Sequence, residues 1–373
     1  MDAVGIIFAN TYDADLNELT QKRTLAAVPF AGRYRLIDFT LSNMVNSGIR
    51  NIGLITKGNY QSLLGHVRTG AEWDLDRKNS GLTILPPFST MAGESIYDNR
   101  LEALASNFSF LRRAREKYVL MCDSSYVGNV DLKEYFDFHV QSEAVLTGLY
   151  SDQVMNNQKG VKGTTAMVDS DGRITEMEIT KESPEGSKIL INTWLIDRER
   201  LMEIIEQAIR DNKRSLRRDV IIPAVEKQKI MAFRTDSRIL ALDNLQSYLA
   251  SNLDLLDKDV RADILGTGKG RPILTKTRDS APTRYGHESK TSNSLIADGC
   301  VIEGDVKNSV IFRGVRIKKG AVVENSVIMQ DSTVGEYVNL NYAILDKNVI
   351  IQDGRMLSGY ITHPFFCQRN SVI

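Results

Sequence analysis

Apolar residues recur every six positions through the C-terminal part of the chain. The recurring residues are Ile296 and Ile302, then Ile311, Ile317 and Val323, then Ile328, Val334 and Leu340, and finally Leu345 and Ile351. A six-residue period is typical of a left-handed parallel β-helix, in which each hexamer forms one side of a triangular coil and points one apolar side chain inward. The pattern predicts such a domain over residues 291–373, with irregular corners at 306–308, Asn325 and Asp346.

Hexapeptide-repeat acyltransferases use the same coil, generally with a histidine base between coils. The histidines of this chain are His66, His139, His287 and His363, so the sequence between 295 and 356 contains none. We therefore expect the β-helix to have a structural role and not to transfer acyl groups.

Residues 1–255 alternate short apolar runs with longer amphipathic ones, which predicts a doubly wound, Rossmann-like α/β domain with a mostly parallel sheet. The first run, 4–9, is apolar and ends abruptly in polar residues, as a buried parallel strand does. In such sheets ligands bind beyond the carboxyl ends of the central strands. Further strands are predicted at 52–56, 118–123, 144–150, 166–168 and 189–196, and helices at 41–47, 103–115 and 197–209.

Residues 256–290 differ from both flanking regions, because glycines and prolines lie among many charges there. This composition indicates a linker with a short extended segment at 272–275. A chain of 373 residues is also longer than one hydrophobic core usually serves, which agrees with two domains.

Charge and cysteine content exclude several functional classes. Lys plus Arg and Asp plus Glu both number 47, which gives no electrostatic reason to expect nucleic acid or an anionic membrane as partner. Cys122, Cys300 and Cys367 are far apart in sequence, so we expect buried thiols and not a disulfide framework or a zinc site. The start of the chain has no secretory pattern, and we expect a cytoplasmic protein.

Two segments near the N-terminus carry a family resemblance. Residues 35–43, Arg-Leu-Ile-Asp-Phe-Thr-Leu-Ser-Asn, and residues 46–49, Asn-Ser-Gly-Ile, resemble the signature of the ADP-glucose pyrophosphorylases, the glucose-1-phosphate adenylyltransferases of bacterial glycogen synthesis. The resemblance extends over nearly the whole chain. It implies a nucleotidyltransferase domain, a left-handed β-helix domain, and the reaction of ATP with glucose 1-phosphate to give ADP-glucose and pyrophosphate.

The chain departs from this family at the positions that handle phosphate. Ala9, Asn10 and Thr11 stand where the family has a glycine-rich loop, and Asp13 and Asp15 add negative charge there. Leu25 stands where the family has a lysine. In this respect the sequence is most similar to the D-subunit branch of the family, which accompanies a catalytic C subunit in some bacteria.

The metal site that the resemblance implies is incomplete. Asp123 matches the family's first metal-binding aspartate, although a carboxylate at a strand end also commonly caps a helix. The second aspartate position is occupied by Ala241. Mg²⁺ is usually held by one or two carboxylates plus phosphate, so we expect no cofactor in this chain and Mg²⁺ in a catalytic partner.

Three further positions belong to the implied nucleotide and sugar-phosphate pocket. Tyr97 and Asn99 lie in the segment that matches the family's Tyr-Arg-Gly-Thr-Ala-Asp-Ala region, which is altered here. Lys181 matches the family's sugar-phosphate lysine if one residue is inserted, and is otherwise a solvated lysine. Asp38 forms either a charge network with Arg35 and Arg33 or a contact to substrate.

Loss of one preorganised charge-stabilising group commonly costs about 10²- to 10³-fold in rate. The family's glycine-rich loop, its lysine and one of its metal ligands are all replaced here. The catalytic rate is therefore expected to be lower by roughly 10⁴-fold or more, even when the effects of groups that act as a unit are not additive. The sequence therefore predicts a regulatory, weakly or non-catalytic subunit in a mixed tetramer with a homologous catalytic subunit, with self-association as a further possibility. The alternatives are a competent glucose-1-phosphate adenylyltransferase and a stand-alone sugar-phosphate-sensing scaffold.

Overall fold

The computed structural model describes residues 1–10, 16–87, 99–155, 163–180, 184–268 and 270–373. The α-helices are α1 (Asn17–Thr20), α2 (Leu36–Asn46), α3 (Gln61–Val67), α4 (Arg100–Ser106), α5 (Phe108–Arg113), α6 (Leu132–Ser142), α7 (Arg198–Arg210), α8 (Ile222–Ala224), α9 (Leu245–Asp254) and α10 (Lys258–Leu265). Short 3₁₀ turns lie at Leu25–Ala27 and Ala71–Trp73, and a π-helical turn lies at Leu216–Ile221.

The N-terminal domain contains most of the longer strands. They are β1 (Ala3–Phe8), β2 (Pro29–Phe30), β3 (Tyr34–Arg35), β4 (Asn51–Ile55), β5 (Gly81–Leu85), β6 (Tyr118–Asp123), β7 (Tyr126–Gly128), β8 (Leu146–Ser151), β9 (Val154–Met155), β10 (Gly163–Val168), β11 (Ile174–Thr180), β12 (Lys188–Asp197), β13 (Ile230–Thr235) and β14 (Ile239–Ala241).

One large sheet organises this domain, in the order β11-β10-β12-β6-β1-β4-β5, with β8 pairing β12 and β13. Strands β6, β1, β4 and β5 run parallel to one another. Strand β12 runs antiparallel to β6, and β10 antiparallel to β12. The sheet is therefore mixed and not mostly parallel, because β12 enters between β6 and β10 in the opposite direction.

Both faces of the large sheet are buried under helices. Phe8 belongs to the same hydrophobic cluster as Leu101 of α4 and Leu201 of α7 on one face. Its neighbour Ile7 packs with Leu41 of α2 on the other. Successive side chains of a strand point to opposite faces, so the continuous apolar run of β1 gives each helical layer its own core, and the predicted doubly wound α/β architecture is confirmed.

The C-terminal strands form the predicted solenoid. They are β15 (Arg284–Tyr285), β16 (Thr291–Ser292), β17 (Leu295–Ile296), β18 (Val301–Ile302), β19 (Asp305–Lys307), β20 (Val310–Ile311), β21 (Arg316–Ile317), β22 (Val322–Glu324), β23 (Val327–Ile328), β24 (Thr333–Val334), β25 (Asn339–Asn341), β26 (Ala343–Leu345), β27 (Ile350–Ile351), β28 (Met356–Ser358) and β29 (Phe365–Cys367). They pair in parallel as three sheets of five strands.

The residues of the six-residue period line the inside of this solenoid. Ile302, Ile317, Val334 and Ile351 stack from coil to coil and are at most 1% exposed. Asn308 and Asn325, at predicted corners, have positive φ angles of 47° and 49°. One apolar side chain per hexamer therefore fills the coil, as the sequence pattern predicted.

The two domains share a hydrophobic core. Phe30 and Phe39 from the N-terminal domain belong to the same buried cluster as Val310, Phe312 and Met329 of the β-helix. The region predicted as a linker adds to this cluster, because it contains helix α10, whose Val260 and Ile264 are buried in it. The first strand of the solenoid, β15, also lies before residue 291.

Some predicted elements differ in their boundaries. Helix α2 begins at Leu36 and not at residue 41. The helix predicted over 103–115 is divided at Asn107, whose side-chain amide bonds the carbonyl of Ala103 at 2.8 Å and whose carbonyl accepts from Phe110 N–H. The cysteines are buried free thiols, as expected.

Candidate active-site cleft

The cleft lies where the predicted ligand site should be, at the carboxyl ends of the central strands β1 and β6. These strands are parallel neighbours, and Phe8, the last residue of β1, is in register with Asp123, the last residue of β6. The hydroxyl of Thr40 on α2 donates to the backbone carbonyl of Asp123 at 3.2 Å. Helix α2, which contains most of the segment 35–43 that resembles the family signature, thus holds the end of β6 in place.

Both carboxylate oxygens of Asp123 are engaged by side chains and backbone of this chain. Oδ1 accepts from the backbone N–H of Ser125 at 3.0 Å and from its hydroxyl at 2.7 Å. Oδ2 accepts from the guanidinium of Arg100 at 2.6 Å. The side chain of Asp123 is 1% exposed, so this is a nearly dry, charge-assisted hydrogen-bond network.

Arg100 is the first residue of helix α4, and Asn99 is the N-cap of that helix. The Asn99 side chain accepts from Glu102 N–H at 3.0 Å, which stabilises the helix start. The guanidinium of Arg100 also lies over the ring of Phe8, 5.2 Å from its centroid. Asn99, predicted as a pocket residue, therefore contributes by capping the helix that delivers Arg100 to the cleft.

Sequence reasoning did not identify Arg100 as a functional residue. The available signal was an arginine directly after a helix-capping asparagine, in the segment that replaces the family's Tyr-Arg-Gly-Thr-Ala-Asp-Ala region. Its pairing with Asp123 depends on where α4 packs against the sheet. The sequence pattern alone does not determine that position of the helix.

The residues that replace the family's phosphate-binding loop form hydrogen bonds with another segment of this chain. The backbone N–H of Ala9 donates to the Ile55 carbonyl at 3.0 Å. The Asn10 side chain donates to the Gly58 carbonyl at 3.1 Å and accepts from Lys57 N–H at 2.8 Å. Ala9 and Asn10 thus connect the end of β1 to the segment after β4. Thr11, Asp13 and Asp15 lie outside the described residues, as do Tyr97 and Lys181.

Leu25, at the position of the family's lysine, is 2% exposed and lies in the 3₁₀ turn Leu25–Ala27. It belongs to the same hydrophobic cluster as Val310 and Phe312 of the β-helix. An apolar side chain cannot stabilise phosphate charge, and here it contributes to the packing between the two domains.

A small cavity lies beside Arg100. Phe8 and Trp194 contribute apolar walls, and Arg217 and Asn192 contribute polar groups. The Arg217 guanidinium donates to the hydroxyl of Thr164. Asn192 has a positive φ of 54° and is 5% exposed, and its side-chain carbonyl has no hydrogen-bond partner. Sequence reasoning named neither Arg217 nor Asn192.

A model of the nucleotidyl transferase family matches residues 4–215. That match covers the large sheet up to α7, including β1, β6 and α4. The chain belongs to the nucleotidyl transferase family. A second model, the GlmU-like C-terminal hexapeptide, matches residues 280–359, and the C-terminal domain is the left-handed β-helix that the repeat predicted.

Individual relatives of this nucleotidyl transferase-family chain extend over both domains. The glucose-1-phosphate adenylyltransferases of Bacillus mycoides and Bacillus anthracis are each 29% identical to it over 359 residues. Each alignment covers 95% of this chain and 94% of the relative. The expected resemblance to this group is confirmed, and the assignment to its D-subunit branch stays a prediction.

The residues of this nucleotidyl transferase-family chain do not fit the Mg²⁺ that the family implies. Asp123 already has both oxygens engaged, and Ala241, at the end of β14, is 2% exposed and offers no ligand. In the part of the chain that the structure describes, no group of three or more His, Cys, Asp and Glu side chains could hold a metal ion.

The hydrogen-bond partners of the Asp38 carboxylate differ from the charge network with Arg35 and Arg33 that was considered from sequence. Its Oδ2 accepts from the backbone N–H of Arg35 at 3.0 Å, and its Oδ1 lies 2.6 Å from Nε2 of His66. The Arg35 guanidinium donates instead to Ser62, and that of Arg33 lies over the Tyr34 ring. Burial lowers the pKa of His66, and Asp38 opposes that shift. The completely buried Asp38 therefore has a structural role in joining α2 to α3.

The described helices include none that is long and apolar enough to cross a membrane.

Proposed function

We propose that this chain is a regulatory subunit, with very little or no catalytic activity of its own, in a bacterial ADP-glucose pyrophosphorylase. The reaction served is ATP plus glucose 1-phosphate giving ADP-glucose and pyrophosphate, in glycogen synthesis. The printed names of the full-length relatives, glucose-1-phosphate adenylyltransferase, support the reaction class. We further propose a cytoplasmic hetero-oligomer, a tetramer, in which a homologous catalytic subunit binds the Mg²⁺.

The observation that carries the regulatory role is the state of Asp123. Nucleotidyl transfer requires positive charge placed against the triphosphate and a metal held by free carboxylate oxygens. In this cleft the carboxylate of Asp123 is bonded to Arg100 and Ser125. Leu25 and Ala241 add no charge, and the two are 2% exposed. The fold is retained while the charged groups of catalysis are replaced, as expected for a subunit kept for assembly and regulation.

A regulatory subunit acts by binding the states of its partner with different affinities. Contacts that favour the active state of the catalytic subunit raise its activity or alter its response to an effector. In this proposal such contacts are transmitted through the solenoid and the hydrophobic core that it shares with the N-terminal domain.

The alternative is a competent glucose-1-phosphate adenylyltransferase. It is favoured by the similarity to relatives of that name over 95% of the chain. It requires the phosphates to be held by unconventional side chains.

Separate and mixed assays distinguish the two. The chain, a homologous catalytic subunit from the same bacterium, and their mixture are each assayed for ADP-glucose formation, and the mixture is analysed by size-exclusion chromatography. We expect the isolated chain to be at least about 10⁴-fold slower than the catalytic subunit. The mixture should elute as one hetero-oligomer and differ from the catalytic subunit in activity or effector response.

The control is additional catalytic subunit in place of this chain. An isolated chain that forms ADP-glucose at a rate similar to that of the catalytic subunit would establish the alternative. A chain that neither associates with the catalytic subunit nor changes its activity would contradict the regulatory proposal.

A further inference from the structure

Cationic side chains gather at the corner of the β-helix that contains Asp346. Both oxygens of Asp346 are engaged by the Arg23 guanidinium, at 2.7 and 2.8 Å. Its Oδ1 also accepts from the backbone N–H of Lys347 at 2.7 Å. The guanidinium groups of Arg35 and Arg369 act electrostatically on the Lys347 amine. Asp346 compensates only one of these cations, so this group of five residues, the junction cluster, has a positive balance.

Two arginine N–H groups of the junction cluster are buried without an acceptor. Arg23 is 1% exposed, and its Nε has no hydrogen-bond partner. The Nε of Arg369 is likewise buried without a partner. Arg369 is held beside Lys347, because the N–H of Asn370 donates to the Lys347 carbonyl at 3.0 Å. Since a buried donor without a partner destabilises the fold, an additional anionic acceptor in this cluster would be stabilising.

Lys347 carries an amine that is not held in its charged form by an ion pair. The residue is half-buried, and within the described residues its side chain forms no ion pair. Burial lowers the pKa of Lys347 well below its usual value, and the charges of the neighbouring arginines lower it further, against the opposing effect of Asp346. A lysine that loses its proton in this way has a free lone pair and becomes a nucleophile.

We propose that Lys347 is a carbamylation site, at which its amine adds reversibly to CO₂ and the arginines of the junction cluster hold the resulting carbamate. The Nζ lone pair forms a bond to the carbon of CO₂, one C=O electron pair moves onto oxygen, and Nζ releases one proton to solvent. No oxidant, reductant or leaving group is required. The carbamate oxygens accept from the buried Nε–H groups of Arg23 and Arg369.

The junction cluster favours both sides of this reaction. Its positive charge keeps the amine of Lys347 neutral before the addition and compensates the negative charge of the carbamate afterwards. CO₂ is small and uncharged, so it reaches a half-buried amine without the desolvation cost of an ionic reagent. The modification places a new negative charge where the two domains meet. It is independent of the proposed function, because it concerns the isolated chain.

Nuclear magnetic resonance of the full-length chain with ¹³C-labelled bicarbonate, in phosphate-free buffer near neutral pH, detects the carbamate. The wild type should give a carbamate resonance that disappears when CO₂ is removed by purging with nitrogen. Lys347→Met should abolish this resonance. Lys319→Met is the matched control, because Lys319 is 65% exposed and its pKa is raised by Glu288, and it should retain the resonance.

Chemical trapping tests the site without any variant. Triethyloxonium converts a carbamate to a stable ethyl ester, which mass spectrometry locates in the sequence. The wild type treated with CO₂ should carry the ester on Lys347, and the wild type purged of CO₂ should not. A carbamate on the α-amino group, which also reacts with CO₂, is distinguished by its position in the chain.

The role of the arginines is tested with Arg369→Met, because Arg369 lies beside the amine and is not part of the Arg23–Asp346 pair. The apparent affinity for CO₂ should fall about 10- to 100-fold, as expected for the loss of a hydrogen bond to a charged group. Arg112→Met removes an exposed arginine on α5 and should leave that affinity unchanged. Circular dichroism verifies that each variant is folded.

Thermal unfolding separates a carbamate from a free anion. At equal pH and ionic strength, bicarbonate in place of chloride should raise the Tm of the wild type, because a group that forms only in the folded state stabilises it, and should leave the Tm of Lys347→Met unchanged. An equal rise in both proteins would assign the cluster to a non-covalent anion and overturn the proposal. The absence of a trapped ester on Lys347 in the presence of CO₂ would also overturn it.

Discussion

At the scale of single residues, several buried polar side chains in this protein are held by specific neighbours. Asp123 is held by Arg100 and Ser125, and Asp38 by His66. His139 on α6 is another example, with Nδ1 2.7 Å from the hydroxyl of Thr147. Burial lowers the pKa of His139 to about 4, and Asp197 partly opposes the shift. Such a group makes stability depend on pH.

The His139 shift predicts lower stability in mild acid. Between pH 6.5 and about 4 the unfolded chain binds a proton at this residue that the folded chain does not bind, so the free energy of unfolding falls as pH falls. From pH 7 to pH 5 the loss from this residue is about 2 kcal/mol. Urea denaturation at pH 7 and at pH 5 measures this loss in the free energy of unfolding. In His139→Gln the loss between the two pH values should be smaller by that amount.

His363→Gln is the matched control, because it makes the same replacement at an exposed histidine. His66, whose pKa burial also lowers, accounts for part of the dependence that remains in His139→Gln. An unchanged pH dependence in that variant would contradict the assignment.

At the scale of elements, a ladder of asparagine side chains stabilises one corner of the β-helix. The Asn308 side-chain amide donates to Asn325 Oδ1 at 3.4 Å, and the Asn325 amide donates to Asn341 Oδ1 at 2.9 Å. Asn325 also has a φ of 49°, a left-handed conformation that asparagine tolerates better than most residues. The ladder therefore combines favourable turn conformation with bonds between coils.

Asn325→Ala should lower the free energy of unfolding by about 2–3 kcal/mol. About 1–2 kcal/mol comes from placing alanine in the left-handed region, and the remainder from the lost amide bonds. Asn325→Gly removes the bonds but adopts the conformation freely, so it should cost less than Asn325→Ala. Urea denaturation followed by circular dichroism measures both, and equal losses would show that backbone conformation contributes nothing.

At the scale of the whole molecule, one buried ion pair joins the two domains. The Arg23 guanidinium contacts both oxygens of Asp346, at 2.7 and 2.8 Å, across 323 residues of sequence. The side chains are 1% and 4% exposed. Arg23 precedes the 3₁₀ turn that holds Leu25, and Asp346 lies at a corner of the β-helix. The pair thus links the segment just before Leu25 to the solenoid.

Breaking this pair should be costly. Arg23→Met should lower the free energy of unfolding by about 3–5 kcal/mol, because Asp346 is left buried without its partner. The double variant Arg23→Met/Asp346→Leu should recover part of that loss. Lys319→Met, which breaks the exposed pair between Lys319 and Glu288, should change stability much less, because water screens an exposed pair. Strictly additive losses in the double variant would show that the two side chains are not coupled.

Local pattern was sufficient to predict the elements and the fold class. The run 4–9 predicted a buried strand, and the six-residue period predicted the stacked interior of the β-helix, because side-chain periodicity follows directly from local backbone geometry. The sequence also located Asp123 at a strand end and showed that Leu25 and Ala241 bring no charge. These are properties of single positions or of neighbours along the chain.

Only the tertiary structure decided which distant groups meet. The pairing of Arg100 with Asp123, of His66 with Asp38 and of Arg23 with Asp346 each joins residues far apart in sequence. The helix in the predicted linker and the antiparallel strand β12 likewise follow from packing against other elements. The physical reason is that periodicity specifies which face of an element is buried, whereas the partner of a buried charge depends on how whole elements pack.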